Sequence, residues 1–225
     1  MPTTFLPDPS DVHLAGELPD VEPIALVHRA EPFDDDGSVF EPQYDGLRGL
    51  IYSSELGCEI RLWPDVTFDR LGELRHRIRE VLGRREAILD GQVVALNRQG
   101  RPVFPDLIRG QGFIAFAAFD LLWLDGADLR PLPLSERKRL LAKLLPEDTG
   151  PLYKILTLDQ YGRALFGAIR KMDLEGIVAK RKADPYGPDT VWYKIGNPVH
   201  PRGNERGRPF RPKAASLPGR LSSRS

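Results

Sequence analysis

The sequence contains a single cysteine, Cys58, and no long uninterrupted apolar run. One cysteine can neither form an intramolecular disulfide nor supply a zinc cluster, and its isolation suits a reducing compartment. The longest apolar run, Phe113–Leu124, is interrupted by Asp120 and is too short to cross a bilayer. The N-terminus lacks a basic segment followed by an apolar one, which argues against a secretory signal. We therefore expect a cytoplasmic protein that does not associate with membranes.

Acidic and basic residues balance in number but not in position. The chain holds 32 Lys and Arg against 32 Asp and Glu, whereas residues 1–45 hold eleven acids against Arg29 alone. Residues 199–225 hold seven Lys and Arg against one Glu, among Pro, Gly and Ser. We predict an irregular acidic segment at 1–22, a folded domain at 23–198 and a disordered basic tail at 199–225. The tail is interpreted either as solvated chain or as a loose electrostatic contact with nucleic acid.

Apolar spacing predicts more strands than helices. Strands are predicted at 47–53, 58–63, 113–124, 176–180 and 190–195, with two more on either side of a turn at Asp90-Gly91 within 87–97. Helices are predicted at 68–82, at 135–145 with Ser135 as its cap, and at 159–172. The strands adjoin one another along the chain, which favours an α+β fold with antiparallel sheets and flanking helices over a doubly wound fold.

Three Asp-Gly steps begin at residues 45, 90 and 125, and each predicts a hairpin turn when taken alone. Their surroundings form an ordered series of motifs. The series runs Glu41-Pro-Gln-Tyr-Asp-Gly-Leu-Arg48, Leu89-Asp-Gly-Gln92, Phe116-Ala-Ala-Phe-Asp-Leu-Leu-Trp-Leu-Asp-Gly126, Glu175-Gly-Ile-Val-Ala-Lys180 and Trp192-Tyr-Lys194. Over residues 23–198 it resembles the motifs of covalent nucleotidyltransferases, in particular ATP-dependent DNA ligases of the bacterial end-joining type.

The resemblance implies a nucleotidyltransferase fold of the ATP-grasp-like kind, and a defined chemistry. In that chemistry an amine attacks the α-phosphorus of ATP, so the site needs an uncharged Lys nitrogen, cations around the phosphates, Mg²⁺ held by carboxylates and an aromatic face for the base. It also implies DNA with nicks or broken ends as a partner, together with other repair proteins. Active relatives continue into an OB-fold domain, and we expect none in the residues that follow Lys194.

Three positions depart from the family pattern. Gln43 stands at the position of the nucleophilic Lys, and a carboxamide nitrogen, whose lone pair is delocalised into the carbonyl, cannot attack phosphorus. Gln92 replaces a Glu that would contact the ribose or assist metal binding. Gly196 replaces the second of two Lys residues that follow Trp192. We therefore expect little or no self-adenylation.

Six positions match the family pattern: Glu41, Arg48, Phe119, Glu175, Lys180 and Lys194. By resemblance, Glu175 helps to hold the metal ion and the other five bind the nucleotide. Phe119 is expected to stack on adenine, and Arg48 to approach the ribose or the nick phosphate. Lys180 and Lys194 are expected to face phosphate oxygens. Without the resemblance, the same side chains would be interpreted as a core aromatic, a solvated acid and surface cations.

Three functional interpretations follow. In the first, the chain is a degenerate ligase-family module, with ATP and Mg²⁺ as cofactors by resemblance, that binds nucleotide or DNA in an accessory role in DNA repair. In the second, it is an active DNA ligase that uses Lys180 or Lys194 as the nucleophile, or that seals DNA adenylated elsewhere. The third, a relative of RNA ligases or capping guanylyltransferases, is less favoured because the Phe-Asp-Leu-Leu and Trp-x-Lys contexts look more like DNA ligases.

Overall fold

The computed structural model describes residues 18–63, 68, 71–146 and 150–200. Most of the predicted acidic segment and nearly all of the predicted basic tail lie outside these residues. Within them, the strands are β1 (Leu26–His28), β2 (Asp35–Gln43), β3 (Leu47–Ser54), β4 (Gly57–Trp63), β5 (Ala87–Leu96), β6 (Phe113–Leu124), β7 (Ala127–Asp128), β8 (Leu152–Lys154), β9 (Leu158–Gln160), β10 (Gly176–Arg181) and β11 (Trp192–Gly196). The helices of the same residues are α1 (Leu71–Leu82), α2 (Phe104–Arg109), α3 (Leu134–Leu144) and α4 (Gly162–Lys171).

The strands form two sheets. The first has five strands in the order β1-β11-β10-β2-β9, and the second has six, in the order β4-β3-β5-β6-β7 with β8 beside β6. Most neighbours are antiparallel, as predicted, but β1 runs parallel to β11 and β8 runs parallel to β6. Consecutive strands β2 and β3 belong to different sheets, so the chain crosses from one sheet to the other at the Asp45-Gly46 bend.

Apolar side chains fill both faces of the second sheet. On β6, Phe116 and Ala118 pack with residues of α1 and α3, whereas Phe119 packs with Val178 and Trp192 of the first sheet. Helix α4 packs its buried Leu165 and Ile169 on the other face of the first sheet. The arrangement is therefore helix, sheet, sheet, helices, and the candidate site lies where the two sheets face each other. The α+β prediction, with flanking helices, is confirmed.

The predicted turn at Asp90-Gly91 is wrong, because both residues lie inside the continuous strand β5. A Cβ atom at position 91 would collide with the Phe116 ring, so the glycine is needed for close packing and not for a turn. Asp45-Gly46 is a bend between the sheets and not a hairpin. Only the step at 125–126 fits the hairpin prediction: Asp125 and Gly126, both at positive φ, join β6 to β7.

Three helices begin elsewhere than predicted. Helix α3 begins at Leu134 after Pro133, so Ser135 lies inside the first turn and does not cap it. Helix α4 begins at Gly162, because Leu158–Gln160 pairs with β2 as strand β9. Helix α1 begins at Leu71, a few residues after the predicted start.

The region before residue 46 contains more regular structure than its acidic, proline-rich composition predicted. Residues 18–22 form neither helix nor strand, although Val21 is buried. Strands β1 and β2 follow, and β2 lies between β10 and β9 in the first sheet. The last six residues of β2 are buried, which places Glu41 and Gln43 between the sheets.

Candidate functional site

A pocket between the two sheets collects the residues that the motif series singled out. Strand β2 and the start of β3 bring Gln43 and Arg48 to it from the two ends of the Asp45-Gly46 bend. The predicted site residues that line the pocket are Glu41, Gln43, Arg48, Gln92, Phe119 and Lys180. The two remaining ones, Glu175 and Lys194, are bonded to each other, and Glu175 is bonded to Gln43. The structure therefore brings all eight together.

Gln43, which is predicted to stand at the position of the family nucleophile, is buried and bonded to a carboxylate. Its Nε2 donates to Oε1 of Glu175 at 3.1 Å, and Nζ of Lys194 lies 2.5 Å from the same oxygen. The Oε1 of Gln43 is buried without a hydrogen-bond partner in the described part of the chain. Leaving a buried acceptor unpaired costs about 1–3 kcal/mol. The amide of Gln43 thus occupies this position while its oxygen accepts no hydrogen bond from the described residues.

Glu41 is a buried carboxylate that two lysines share. Nζ of Lys180 lies 2.7 Å from its Oε2, and Nζ of Lys138 pairs with its Oε1. Thr157 Oγ1 also donates to Oε1, at 2.9 Å. Burial raises the pKa of Glu41, but the charges of Lys138 and Lys180 outweigh burial and hold the pKa below its ordinary value. Glu41 therefore remains a carboxylate.

Lys180 lies against the aromatic wall of the pocket. Its Nζ is 4.1 Å from the ring centroid of Phe119 and 3.8 Å from that of Trp192, which fits cation–π contact. Burial lowers the pKa of Lys180 to about 8, although the charge of Glu41 opposes that shift. The amino group of Lys180 therefore lies against both aromatic rings that line the pocket.

Arg48 is engaged by the protein itself. Its Nε and Nη2 donate to Oδ1 and Oδ2 of Asp90 at 3.1 and 2.7 Å, and its Nη1 donates to the carbonyl oxygen of Ile24. Tyr186 Oη donates to the same Asp90 at 2.7 Å. Burial lowers the pKa of Arg48, and the adjacent Asp90 more than reverses this. Through these bonds Arg48, on β3, connects Ile24, which precedes β1, to Asp90 of the second sheet. Contact with a ribose or a phosphate would therefore have to use the N–H groups of Arg48 that are not engaged in these bonds.

Several residues that shape the site were not predicted. Arg137 and Asp120 form a fully buried bidentate pair, with both distances 2.9 Å, that fixes α3 on β6 and so positions the neighbouring Lys138. Asp120 gave a signal in the sequence, because a charge inside a long apolar strand needs a buried partner. No sequence pattern indicated a role for Lys138, Thr157 or Tyr186.

A nucleotide fits the residue types of the pocket but not its present volume. The cavity measures about 30 Å³, which is room for about one water molecule. An aromatic ring, a lysine and a carboxylate, here Phe119, Lys180 and Glu41, are groups expected around a nucleotide, and Lys180 already lies against the Phe119 ring. Among the described residues, no cluster of three or more His, Cys, Asp or Glu is positioned to hold a metal ion. Glu175, the predicted metal ligand, accepts bonds from Gln43 and Lys194.

The chain is similar to proteins of one family. The family model described as "ATP dependent DNA ligase domain" matches residues 25–195. The multifunctional non-homologous end joining protein LigD of Pseudomonas aeruginosa is 38% identical over 156 residues, which are 65% of this chain and 18% of LigD. The SPbeta prophage-derived DNA ligase-like protein LigB of Bacillus subtilis is 27% identical over 175 residues, 74% of this chain and 62% of LigB. The chain thus spans less than two thirds of either relative.

Solved structures of DNA ligases are also similar to this chain. A mycobacterial DNA ligase D complexed with ATP and MES is 30% identical and superposes with a TM-score of 0.66, over 77% of this chain and 59% of that one. A Chlorella virus DNA ligase-adenylate, 13% identical with a TM-score of 0.50, shares the fold over 77% of this chain and 67% of its own. No helix in the described part of the chain has the length and apolar character that a membrane span needs.

Proposed function

Because the chain belongs to the ATP-dependent DNA ligase domain family, we propose that it is an adenylation-domain protein that does not adenylate itself at position 43 and acts as a nucleotide- or DNA-binding accessory module in DNA repair. The observation that carries this proposal is the side chain of Gln43. It lies in the pocket at the place of the family nucleophile, bonded to Glu175, and it has no amine to offer.

The remaining groups support binding without that chemistry. Lys194 neutralises Glu175, while Lys180 and Lys138 neutralise Glu41, so the pocket stays folded without a lysine at position 43. ATP would place its base against Phe119 and its phosphates near Lys180 and Lys194, and Glu175 would hold Mg²⁺. When bound, ATP supplies an electrophilic α-phosphorus. Broken or nicked DNA is the proposed partner, by analogy with the end-joining relatives.

The direct test is incubation of the full chain with α-labelled ATP and Mg²⁺ or Mn²⁺, followed by denaturing electrophoresis. We expect no label on the wild-type chain and a label on Gln43→Lys combined with Gln92→Glu, which restores two family residues. Gln99→Lys, which adds a lysine at an exposed position, serves as the matched control and should stay unlabelled. Label on the wild-type chain that survives denaturation would refute the proposal.

Calorimetry separates an accessory module from a purely structural relic. We expect unlabelled ATP or a nicked duplex to bind the wild-type chain. If neither binds, the accessory role is wrong even when self-adenylation is absent.

A second candidate function, ligation with another lysine as nucleophile, is favoured by one observation. Because burial lowers the pKa of Lys180 to about 8, about half of this lysine would be an uncharged amine at that pH. If label appears, peptide mapping should place it on Lys180 under this hypothesis, or on Lys194 under its variant. Sealing of a pre-adenylated nick, which needs no nucleophile, is tested separately with that substrate.

A further inference from the structure

Strand β4 leaves one edge of the second sheet open in the part of the chain that the structure describes. It is an end strand of that sheet, and among these residues its seven members pair only with β3. The other strands with an open edge, β1, β7, β8 and β9, have two or three residues each. Short edge strands limit pairing with other chains, as do prolines, lysines and bulges. Strand β4 contains no proline or lysine, and its register with β3 has no bulge, so it is well suited to pair with a further strand.

The residues on one face of β4 are Gly57, Glu59, Arg61 and Trp63, because successive residues of a strand point to opposite faces. The side chains of Glu59 and Arg61 are about half exposed and lie 3.2 Å apart. Trp63 is also half exposed, at 51%. Space is open over Gly57, where an added Cβ would meet only the guanidinium of Arg79, at 3.5 Å. The face thus presents a glycine, an acid, a base and an aromatic ring at two-residue steps.

This face is complementary to itself in an antiparallel pair centred on residue 60. A closed dimer has a two-fold axis, and an axis normal to the sheet makes two edge strands antiparallel. Glu59 of one copy then lies opposite Arg61 of the other, and the contact is repeated across the axis, so four charges alternate in sign. Gly57 lies opposite Trp63 of the second copy, and an aromatic ring opposite a glycine is one of the pairings that fix register in sheets.

Other registers of the same two strands are less favourable. A shift of two residues places either Glu59 opposite Glu59 or Arg61 opposite Arg61, and like charges directly opposite each other are destabilising. A shift of one residue turns the charged face of one copy to the side on which Ile60 and Leu62 of the other pack against α1. Charge and packing therefore both select the pair centred on residue 60.

We propose that the edge of β4 is an interface for a second copy of this chain, which adds its own β4 in antiparallel orientation and joins the two six-stranded sheets into one. Seven residues from each copy form a small contact, so we expect a dimer that dissociates on dilution. The contact uses neither Gln43 nor the pocket around it. It therefore goes beyond the proposed function and does not depend on it.

Sedimentation velocity of the full chain, over a concentration series that reaches about 1 mM, tests the proposal. We expect the wild-type chain to change from monomer to dimer along the series. Arg61→Glu would set acids opposite each other on both sides of the axis and should weaken dimerisation at least about tenfold. Glu59→Arg combined with Arg61→Glu restores opposite charges and should return the dissociation constant to within about threefold of the wild-type value.

The double variant and Arg61→Glu both lose the contacts of Arg61 with Asp20 and Tyr52, so recovery in the double variant identifies charge pairing between copies as the cause. Arg85→Glu is the matched control, because it reverses a charge of similar exposure outside β4. It should dimerise as the wild type does.

Disulfide cross-linking tests the register. Cys58 is the single cysteine of the chain, so Glu59→Cys and Arg61→Cys are each made with Cys58→Ser and then mixed under mild oxidation. Directly opposite residues of antiparallel strands have Cα atoms about 4.5–5.5 Å apart, which a disulfide can span. Residues of equal number lie two positions further along, beyond the limit of about 7 Å. We expect a covalent dimer from the mixture on non-reducing denaturing electrophoresis, and much less from either protein alone.

Three results would overturn the proposal. The first is a wild-type chain that stays monomeric at the highest concentration, which would leave the edge of β4 to a strand of another protein. The second is a double variant that dimerises no better than Arg61→Glu, and the third is equal cross-linking in the mixture and in the separate proteins. Circular dichroism shows whether each variant folds, and the cysteine variants carry the test if Arg61→Glu does not. Since no measurement involves ATP, the outcome is separate from that of the labelling experiment.

Discussion

Two buried carboxylates at the candidate pocket have different partners. Glu41 pairs with Lys138 and Lys180, whereas Glu175 pairs with Lys194 and accepts a hydrogen bond from the amide of Gln43. A lysine at position 43 would give both carboxylates two cations. Removing one partner of a buried ion pair is costly when it strands the other charge. Here Lys194 remains beside Glu175, so a glutamine at position 43 still leaves this carboxylate neutralised.

The largest loss of stability is expected when Glu41, the carboxylate with two lysine partners, is replaced. Glu41→Gln would leave Lys180 and Lys138 without their shared counter-charge, and Lys180 is almost completely buried. We expect the free energy of unfolding, measured by chemical denaturation, to fall by about 3–5 kcal/mol. Glu80→Gln, at an exposed position on α1, should change it by less than about 0.5 kcal/mol. Equal effects of the two changes would contradict the electrostatic account.

The second largest effect is a dependence of the stability on pH, which we attribute to Lys180. Its pKa is about 8 in the folded chain, below the ordinary 10.5, so between these values the unfolded state binds more protons. Stability should therefore rise with pH from about 8 to 10.5, by up to about 3 kcal/mol, relative to a chain without this group. Lys180→Met, which leaves Glu41 paired with Lys138, should lack that rise. Parallel curves for the two proteins would show that the lysine is not desolvated as described.

A smaller loss is expected at the other carboxylate. Glu175→Gln removes the charge beside Lys194, whose side chain is 12% exposed and so keeps some hydration, and the new amide can still accept from Gln43. We expect a loss of about 1–2 kcal/mol in thermal or chemical unfolding. A loss as large as that of Glu41→Gln would remove the distinction between the two carboxylates.

The smallest change in stability is expected from Gln43→Lys, which would give Glu175 two lysine partners, as Glu41 has. Gln43→Lys replaces an amide that has one unpaired oxygen with a cation beside Glu175. The gain in pairing offsets the cost of burying a charge, so we expect stability to change by no more than about 1 kcal/mol. Denaturation of this variant beside the wild type checks it. A large loss would mean that the pocket has been rebuilt around the amide and no longer admits the family residue.

Local patterns predicted the elements that have clear periodicity, and the motif order predicted which residues meet. Strands β3, β4, β6, β10 and β11 were found within one or two residues of their predicted bounds, because each is a short segment rich in apolar residues. The joint position of Gln43 and Glu175 came from the resemblance; their distance in sequence is 132 residues, and no local rule joins them.

The errors have physical causes in tertiary contacts. Asp90-Gly91 has the composition of a turn, but Asp90 is needed for Arg48 and Tyr186, and Gly91 makes room for Phe116. Strand β2 begins in an acidic stretch of low strand propensity and is held by pairing on both sides. Lys138 was missed because its partner, Glu41, is 97 residues away and a lysine on a helix is ordinarily solvated.

The bend at Asp45-Gly46 has a practical consequence for redesign. A side chain at position 46 would place its Cβ 2.5 Å from the carbonyl oxygen of Val93 and 2.9 Å from Cγ1 of Val94, so this glycine admits no replacement without moving β5. Position 43, three residues earlier, is held in a strand whose backbone is paired with β10 whatever its side chain. A library that randomises residue 43 and keeps Gly46 would therefore test different side chains in the pocket while the pairing of β2 with β10 stays the same.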